Sequence, residues 1–134
     1  MSYGDERDFC NIKEIPQWFW DIIEKGARDE EKILTILREQ TIEYLYSFQK
    51  IMLRAISFLN ADVFLEHMDP ELSEDGIHDI VWWVVSQGKG YYLYIWEHPE
   101  QIPENGDFLD LTKSFYGKPR RIYKEKGGTN PFPT

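Results

Sequence analysis

The feature that most constrains the fold is a stretch without glycine or proline, residues 29–59, that keeps one side apolar. Its apolar residues recur at three- and four-residue spacing, which is the pattern of a helix with one buried face. Together with one threonine they are Ile33, Leu34, Leu37, Thr41, Leu45, Phe48, Met52, Ala55, Ile56 and Leu59. Asp29 is suited to cap the N-terminus. The pattern predicts either one helix about 45 Å long, at 1.5 Å per residue, or two helices broken near residues 38–41.

Two further helices are predicted beside this stretch. Pro16 suits the first position of a helix over residues 16–25, and Gly26 suits the position just past its end. After the central stretch, Asp62 is a plausible cap for a short helix over residues 63–68.

The second half of the chain begins with a nearly all-apolar helix. Ser73 is suited to cap it, and the Gln87-Gly88 pair to end it. The run over residues 80–85 also has strand propensity, but the capped start and the glycine stop favour a helix. Helices are also predicted over residues 89–97 and, as a short final one, over residues 107–115.

These elements predict an all-α fold: a single compact domain of five to seven helices. Residues 1–14 are polar and without apolar periodicity, so a loose N-terminal segment is predicted there. Residues 15–116 form the helical domain in this interpretation. Residues 117–134 are basic and contain several helix breakers, which predicts an extended or mobile tail.

Composition sets aside several classes of protein. The longest apolar run is six residues, far below the roughly 20 that a membrane span requires. No basic region followed by an apolar stretch opens the chain, so we expect a cytoplasmic protein that does not engage membranes. The single cysteine, Cys10, cannot form an internal disulfide, which agrees with a reducing compartment.

The net charge of −9 is unevenly distributed along the chain. Residues 62–110 contain twelve acids and one base, Lys89, whereas residues 111–134 contain six bases and one acid, Glu125. The surface formed by residues 62–110 is expected to repel phosphate backbones because it is strongly anionic. We therefore expect no binding to duplex nucleic acid. A basic protein is the partner that such a charge distribution favours. The alternatives are a charged surface that serves only solubility and a basic tail that neutralises the acidic domain before it.

A motif in the acidic segment resembles a known family. The run over residues 72–88, followed by Tyr92 and by His98-Pro-Glu, resembles the bacterial domain-of-unknown-function family numbered 4240. The core of the match is Asp75, Gly76, Trp83, Gln87 and Gly88. Phe19-Trp20 and residues 44–58 have counterparts in the family, so the resemblance spans about residues 17–103.

The same resemblance has two departures. Val81 stands where the family commonly has an arginine, and Glu74-Asp75 replaces a pair of aspartates. The resemblance implies an all-α fold and a bacterial origin, and it carries no established reaction.

Candidate chemistry is confined to one acidic cluster. Glu74 and His78 are four residues apart and share a helix face, as do Asp75 and Asp79. A carboxylate beside an imidazole suits acid-base catalysis, so Glu74, Asp75 and His78 are the candidate catalytic residues of an enzyme. The structural alternative is that acids in a first helical turn only complement the helix dipole. No nucleotide, phosphate or metal motif occurs, so we expect no cofactor and no metal.

The richest feature of the chain is a cluster of six aromatic residues within fifteen positions. They are Trp82, Trp83, Tyr91, Tyr92, Tyr94 and Trp96. They exceed what one side of a helix buries, so either they are core residues with exposed tyrosine hydroxyls or they line a binding surface.

These observations leave three functional hypotheses. The leading one is a small non-enzymatic interaction module, of an immunity or regulatory type, that binds a basic protein partner through the acidic, aromatic-rich segment. The alternatives are an enzyme of unknown reaction and a small-ligand binder with an aromatic pocket. The oligomeric state stays open.

Overall fold

The structure is a computed structural model that describes residues 12–134, and over that range it is all-helical. Its helices are α1 (Gln17–Lys25), α2 (Glu30–Arg38), α3 (Ile42–Leu59), α4 (Asp62–Leu65), α5 (Glu74–Ser86), α6 (Lys89–Glu97) and α7 (Lys118–Glu125). Short 3-10 turns occur at Ile12–Glu14, Pro99–Gln101 and Leu111–Lys113. No strand occurs between residues 12 and 134, so the predicted fold class is confirmed and the strand alternative for residues 80–85 is wrong. The predicted loose segment and Cys10 lie outside the described residues, apart from the turn at Ile12–Glu14. None of the described helices is both long and apolar enough to cross a membrane.

The choice left open over residues 29–59 is resolved as two helices. Asp29 caps α2 as predicted, because its carboxylate accepts from the backbone N–H of Lys32 at 3.0 Å. Thr41 opens α3: its backbone is extended and its hydroxyl accepts from the N–H of Tyr44 at 3.1 Å. A side chain that satisfies an N–H of a new first turn stabilises a helix start, so Thr41 allows the break without glycine or proline.

Helix α3 is the centre of the core and packs against α1, α5 and α7. Phe48, which is fully buried, stacks on Phe19 of α1 at 4.9 Å between ring centroids and lies 5.6 Å from Phe115. Ser86, also buried, accepts from the N–H of Phe115 at 2.9 Å and donates to the carbonyl of Trp82. These contacts fix the segment before α7 against both α3 and α5.

The predicted bounds of the helices on either side of Gly88 are confirmed. Ser73 caps α5 by accepting from the N–H of Gly76 at 3.1 Å, and α6 runs over Lys89–Glu97. Gly88 has φ +109° and ψ 170°, so it adopts positive φ with an extended ψ rather than the left-handed helical conformation that usually follows a helix. This region of backbone space is open essentially only to glycine.

Replacing Gly88 with alanine should therefore destabilise the protein by about 1–3 kcal/mol. The nearest atom to an added Cβ is Cγ of Glu24 at 3.7 Å, so the penalty comes from the backbone and not from a clash. Gly90→Ala is the matched control, because nothing lies within 4 Å of its Cβ position and it lies in α6. We expect that control to stabilise by up to about 1 kcal/mol. Urea unfolding measures both, and equal stabilities would contradict the backbone assignment.

Two predicted short helices differ from the structure. The helix predicted over residues 63–68, with Asp62 as its cap, is shorter in the structure. It is α4, and the residue before its first turn is Ala61. The helix predicted over residues 107–115 is wrong, since only Leu111–Lys113 forms a 3-10 turn there. Asp110 caps this turn, because its carboxylate accepts from both the N–H and the hydroxyl of Thr112.

The tail predicted as extended over residues 117–134 is wrong in its first half, which forms α7. Pro119 lies in the first turn, where a missing N–H costs nothing, and Ile122 and Tyr123 are buried against the domain. Helix α7 packs on α2 and α3, and Arg38 of α2 forms an ion pair with Glu125 at 3.2 Å. Only two apolar residues mark this helix in the sequence, which is too few to define a period.

Candidate functional site

The predicted catalytic residues lie at the start of α5. Glu74 and Asp75 are exposed in its first turn, where carboxylates complement the helix dipole. His78 is half-buried one turn later. Among the described residues, neither a hydrogen bond nor an ion pair joins Glu74 to His78, so the predicted pair shares a helix face without forming a dyad.

His78 is instead hydrogen-bonded to Trp82. The indole Nε1 of Trp82 donates to Nε2 of His78 at 2.9 Å, and the two residues are again four apart on α5. The imidazole also packs edge-on against Tyr116, with ring centroids 5.1 Å apart at 86°. An indole N–H only donates, so Nε2 holds a lone pair and the proton of the neutral ring is on Nδ1.

This geometry restricts what His78 does chemically. General bases and metal ligands need an imidazole lone pair, and in His78 that lone pair accepts from Trp82. Within residues 12–134, no group of three His, Cys, Asp or Glu side chains is arranged to hold a metal ion. The arrangement fits a packing role for His78 better than a catalytic one.

The six aromatic residues of the predicted binding surface make separate contacts. Tyr92 is fully buried, its hydroxyl donates to the carbonyl of Ala55 at 2.8 Å, and its ring packs on Trp20 at 5.1 Å. Trp82 is 2% exposed. Trp96 packs between Phe58 and Phe64. Tyr92 and Trp82 are core residues, so they are not available to a protein partner on this surface.

The remaining three aromatics are nearer the surface. Trp83 and Tyr91 are half-buried and meet edge-on at 5.8 Å, and burial, with a smaller contribution from Tyr94, raises the pKa of Tyr91 above its ordinary value. Tyr94 is 47% exposed and rests on His98. Of the predicted set, Tyr94 alone is exposed.

The most exposed large apolar side chain in the described chain was missed by the sequence analysis. Phe108 is 98% exposed, and Leu111 nearby in sequence is 42% exposed. Phe108 lies inside the helix predicted over residues 107–115, and that prediction does not indicate that its side chain is exposed. The turn dipeptide Asn105-Gly106 was the signal that a loop, here residues 104–110, begins before it.

This loop is joined to the domain by a hydrogen bond at its first residue and is shaped by a local turn. Its first residue, Glu104, accepts at the backbone carbonyl from the N–H of Asp69 at 2.9 Å. Asn105 accepts at its side chain from the N–H of Asp107 at 3.0 Å, which forms a local turn. Leu109 packs on the core. Phe108 is therefore projected from an anchored loop.

Three acids of the loop carry negative charge, and one of them, Asp110, lies 3.9 Å from the ammonium group of Lys113. Glu104, Asp107 and Asp110 are all exposed. Hydrogen bonds from the hydroxyl and the backbone N–H of Thr112 hold the pKa of Asp110 below its ordinary value, so this carboxylate stays ionised. An exposed aromatic side chain on a loop that also carries carboxylates is suited to a target that is both cationic and apolar.

A groove between α3, α5 and α7 is among the concave features of the surface. It consists of a larger cavity of about 670 Å³ and a smaller one of about 160 Å³. Leu53, His78 and Thr134 line both of them. Hydrophobic residues form most of the floor of the larger cavity, and Glu74 lies at its edge.

In the comparisons with known proteins, no family model, no curated protein and no solved structure matches this chain. Over residues 12–134 the chain is all-helical, and its loop over residues 104–110 carries three acids and the exposed Phe108. The resemblance to the family numbered 4240 stays a prediction that rests on the motif residues alone.

Proposed function

We propose that the protein is a non-enzymatic interaction module, of an immunity or regulatory type, that binds a basic protein partner in the cytoplasm. Its contact surface in this proposal is centred on the loop over residues 104–110, with Phe108 as the apolar anchor. Duplex nucleic acid is not among the proposed partners, because its phosphates would meet the same carboxylates.

The observation that carries the proposal is the 98% exposure of Phe108 on an anchored loop. Fully burying a phenylalanine side chain contributes about 1.5–3 kcal/mol, and an exposed aromatic anchor of this kind is typical of the few residues that dominate a protein interface. The acids beside it supply long-range attraction to a cation-rich surface.

The alternatives have less support. An enzyme built on Glu74, Asp75 and His78 would need the imidazole lone pair that the indole N–H of Trp82 occupies. A small-ligand binder with an aromatic pocket would need the six aromatics around one cavity, whereas Tyr92 and Trp96 pack into different parts of the core.

Panning a random peptide library displayed on phage against the immobilised protein tests the proposal. We expect the enriched peptides to combine Lys or Arg with apolar residues, and Phe108→Ala to weaken their binding at least about tenfold, the equivalent of 1.4 kcal/mol. Tyr94→Ala is the matched control, since Tyr94 is the exposed member of the originally predicted set, and its effect should stay within about twofold. Enriched peptides without an excess of basic residues, or a set of enriched peptides none of which is weakened by Phe108→Ala, would overturn the proposal.

A further inference from the structure

The last residues of the described chain lie back on the domain and enter the groove between α3, α5 and α7. After α7 the backbone turns at Gly127, which has φ +84°. At Gly128 an added Cβ would lie 2.4 Å from the ring of Tyr123, so the chain passes directly over that ring. The segment over residues 130–134 then reaches the smaller cavity through Pro133 and Thr134.

This segment is held by its carbonyls and one aromatic ring. The hydroxyl of Tyr123 donates to the carbonyl of Asn130 at 3.1 Å, and Nε2 of Gln49 donates to the carbonyl of Pro133 at 3.1 Å. Phe132 packs between Tyr123, at 4.7 Å, and Tyr46, at 6.2 Å. In the described chain no backbone N–H of residues 129–134 donates a hydrogen bond.

This segment forms a hydrogen bond with only one of the two polar atoms of the Gln49 side-chain amide. The Gln49 side chain is buried, with the residue 7% exposed, and its Oε1 is inaccessible to solvent and has no hydrogen-bond donor. The orientation of the amide is fixed, because the carbonyl of Pro133 only accepts and so must face the NH₂ group. Proline has no N–H, which leaves the segment without a donor at the residue that Gln49 contacts.

The groove also extends beyond the segment. Thr134 lies where the two cavities meet, and the larger one continues past it over a floor that includes Leu53, Ile77 and Val81. Glu74 lies at the edge of that larger cavity. The floor of the larger cavity suits apolar side chains, and Glu74 suits a basic one.

We propose that this groove is a binding site for an extended peptide segment of another protein, and that residues 130–134 occupy it as an internal competitor. The ligand has an aromatic side chain in the place of Phe132, followed by a non-proline residue that offers Gln49 both a C=O and an N–H. It continues with an apolar residue and a basic residue. The groove shares no residue with the loop over residues 104–110. Peptide binding that depends on Gln49 therefore belongs to the groove, and peptide binding that depends on Phe108 belongs to the loop, so the two proposals fail under different variants.

Two synthetic peptides that differ by one methyl group test the site. The first is Asn-Pro-Phe-Ala-Thr-Leu-Lys, and the second carries N-methylalanine in place of alanine, which removes only the N–H. We expect fluorescence polarisation to show that the first peptide binds at least about tenfold more tightly than the second. Both should bind Phe132→Ala protein more tightly than wild type, because the internal competitor is weakened.

Variants of the full chain separate the hydrogen bond from general packing. Gln49→Met keeps the approximate size of the side chain and should abolish the difference between the two peptides. Pro133→Ala gives the internal segment the missing N–H and should weaken binding of the first peptide about tenfold, so the site is tested even if Gln49→Met folds poorly. Equal affinity of the two peptides, or binding of neither to wild type and Phe132→Ala, would overturn the proposal. A dimer formed by exchange of residues 130–134 between two copies would also contradict it.

Discussion

Replacing Phe48 with alanine is expected to destabilise the protein by about 3–5 kcal/mol. Phe48 is fully buried in α3 and contacts Phe19 of α1 and Phe115 of the segment before α7. Removing the ring leaves a cavity where three separate parts of the chain meet. Small domains have only about 5–15 kcal/mol of total stability, so this one side chain accounts for a large share of it.

Equilibrium urea unfolding measures this effect, and the chain supplies its own control. Phe108→Ala is the same chemical change at a side chain that is 98% exposed, and it should alter the free energy of unfolding by less than about 0.5 kcal/mol. If Phe48→Ala is too unstable to purify, Phe48→Leu should still fold and should cost about 1 kcal/mol. Comparable stabilities for the Phe48→Ala and Phe108→Ala proteins would contradict the placement of the core.

The sequence predicts those parts of the fold whose signals are local. Pro16 precedes α1, Ser73 caps α5 and Gly88 separates α5 from α6, because each acts through its own backbone or the next turn. Whether residues 29–59 formed one helix or two was not predictable in the same way. Thr41 caps α3 only because the chain turns there, and threonine inside a helix is also tolerated.

The candidate site was less predictable, because exposure depends on tertiary contacts. Tyr92 and Tyr94 are two residues apart in α6, yet one is fully buried and the other 47% exposed. The hydrogen bond between His78 and Trp82 was open to prediction, since the two residues are four apart within a predicted helix. Glu74 occupies the equivalent position one turn earlier, and the predicted contact between Glu74 and His78 does not form.

Reversing the charge beside Phe108 is expected to slow association with a basic partner by about 10–100-fold at low salt, within the range of electrostatic steering. Glu104 and Asp107 of the loop, with Glu100 of the turn before it, are exposed and suit triple replacement by lysine. Glu100 lies 3.5 Å from His98, and Asp110 is left intact because it caps the turn at Thr112. The effect should shrink as salt rises, since the Debye length falls from about 30 Å at 0.01 M to about 8 Å at 0.15 M. Stopped-flow association with the strongest basic peptide from the panning experiment gives the rates.

The matched control changes net charge equally at another place. Glu24, Glu39 and Glu43 are exposed on or beside the first three helices, and none forms an ion pair with a described residue. Their triple replacement by lysine should slow association less than the loop variant does. Equal slowing by both variants would mean that net charge alone attracts the peptide and that the loop has no special part.

His78→Ala tests in the same assay whether the partner binds at the loop over residues 104–110 or at the start of α5. The substitution leaves the indole N–H of Trp82 without its acceptor, which we expect to cost about 1–3 kcal/mol of stability. Association of a peptide that depends on Phe108 should nevertheless stay within about twofold of wild type, because His78 lies outside the loop over residues 104–110. If His78→Ala lost partner binding while its unfolding curve matched that of wild type, the histidine would act directly at a functional site. The interaction surface around Phe108 would then be the wrong assignment, and the site at Glu74, Asp75 and His78 would replace it.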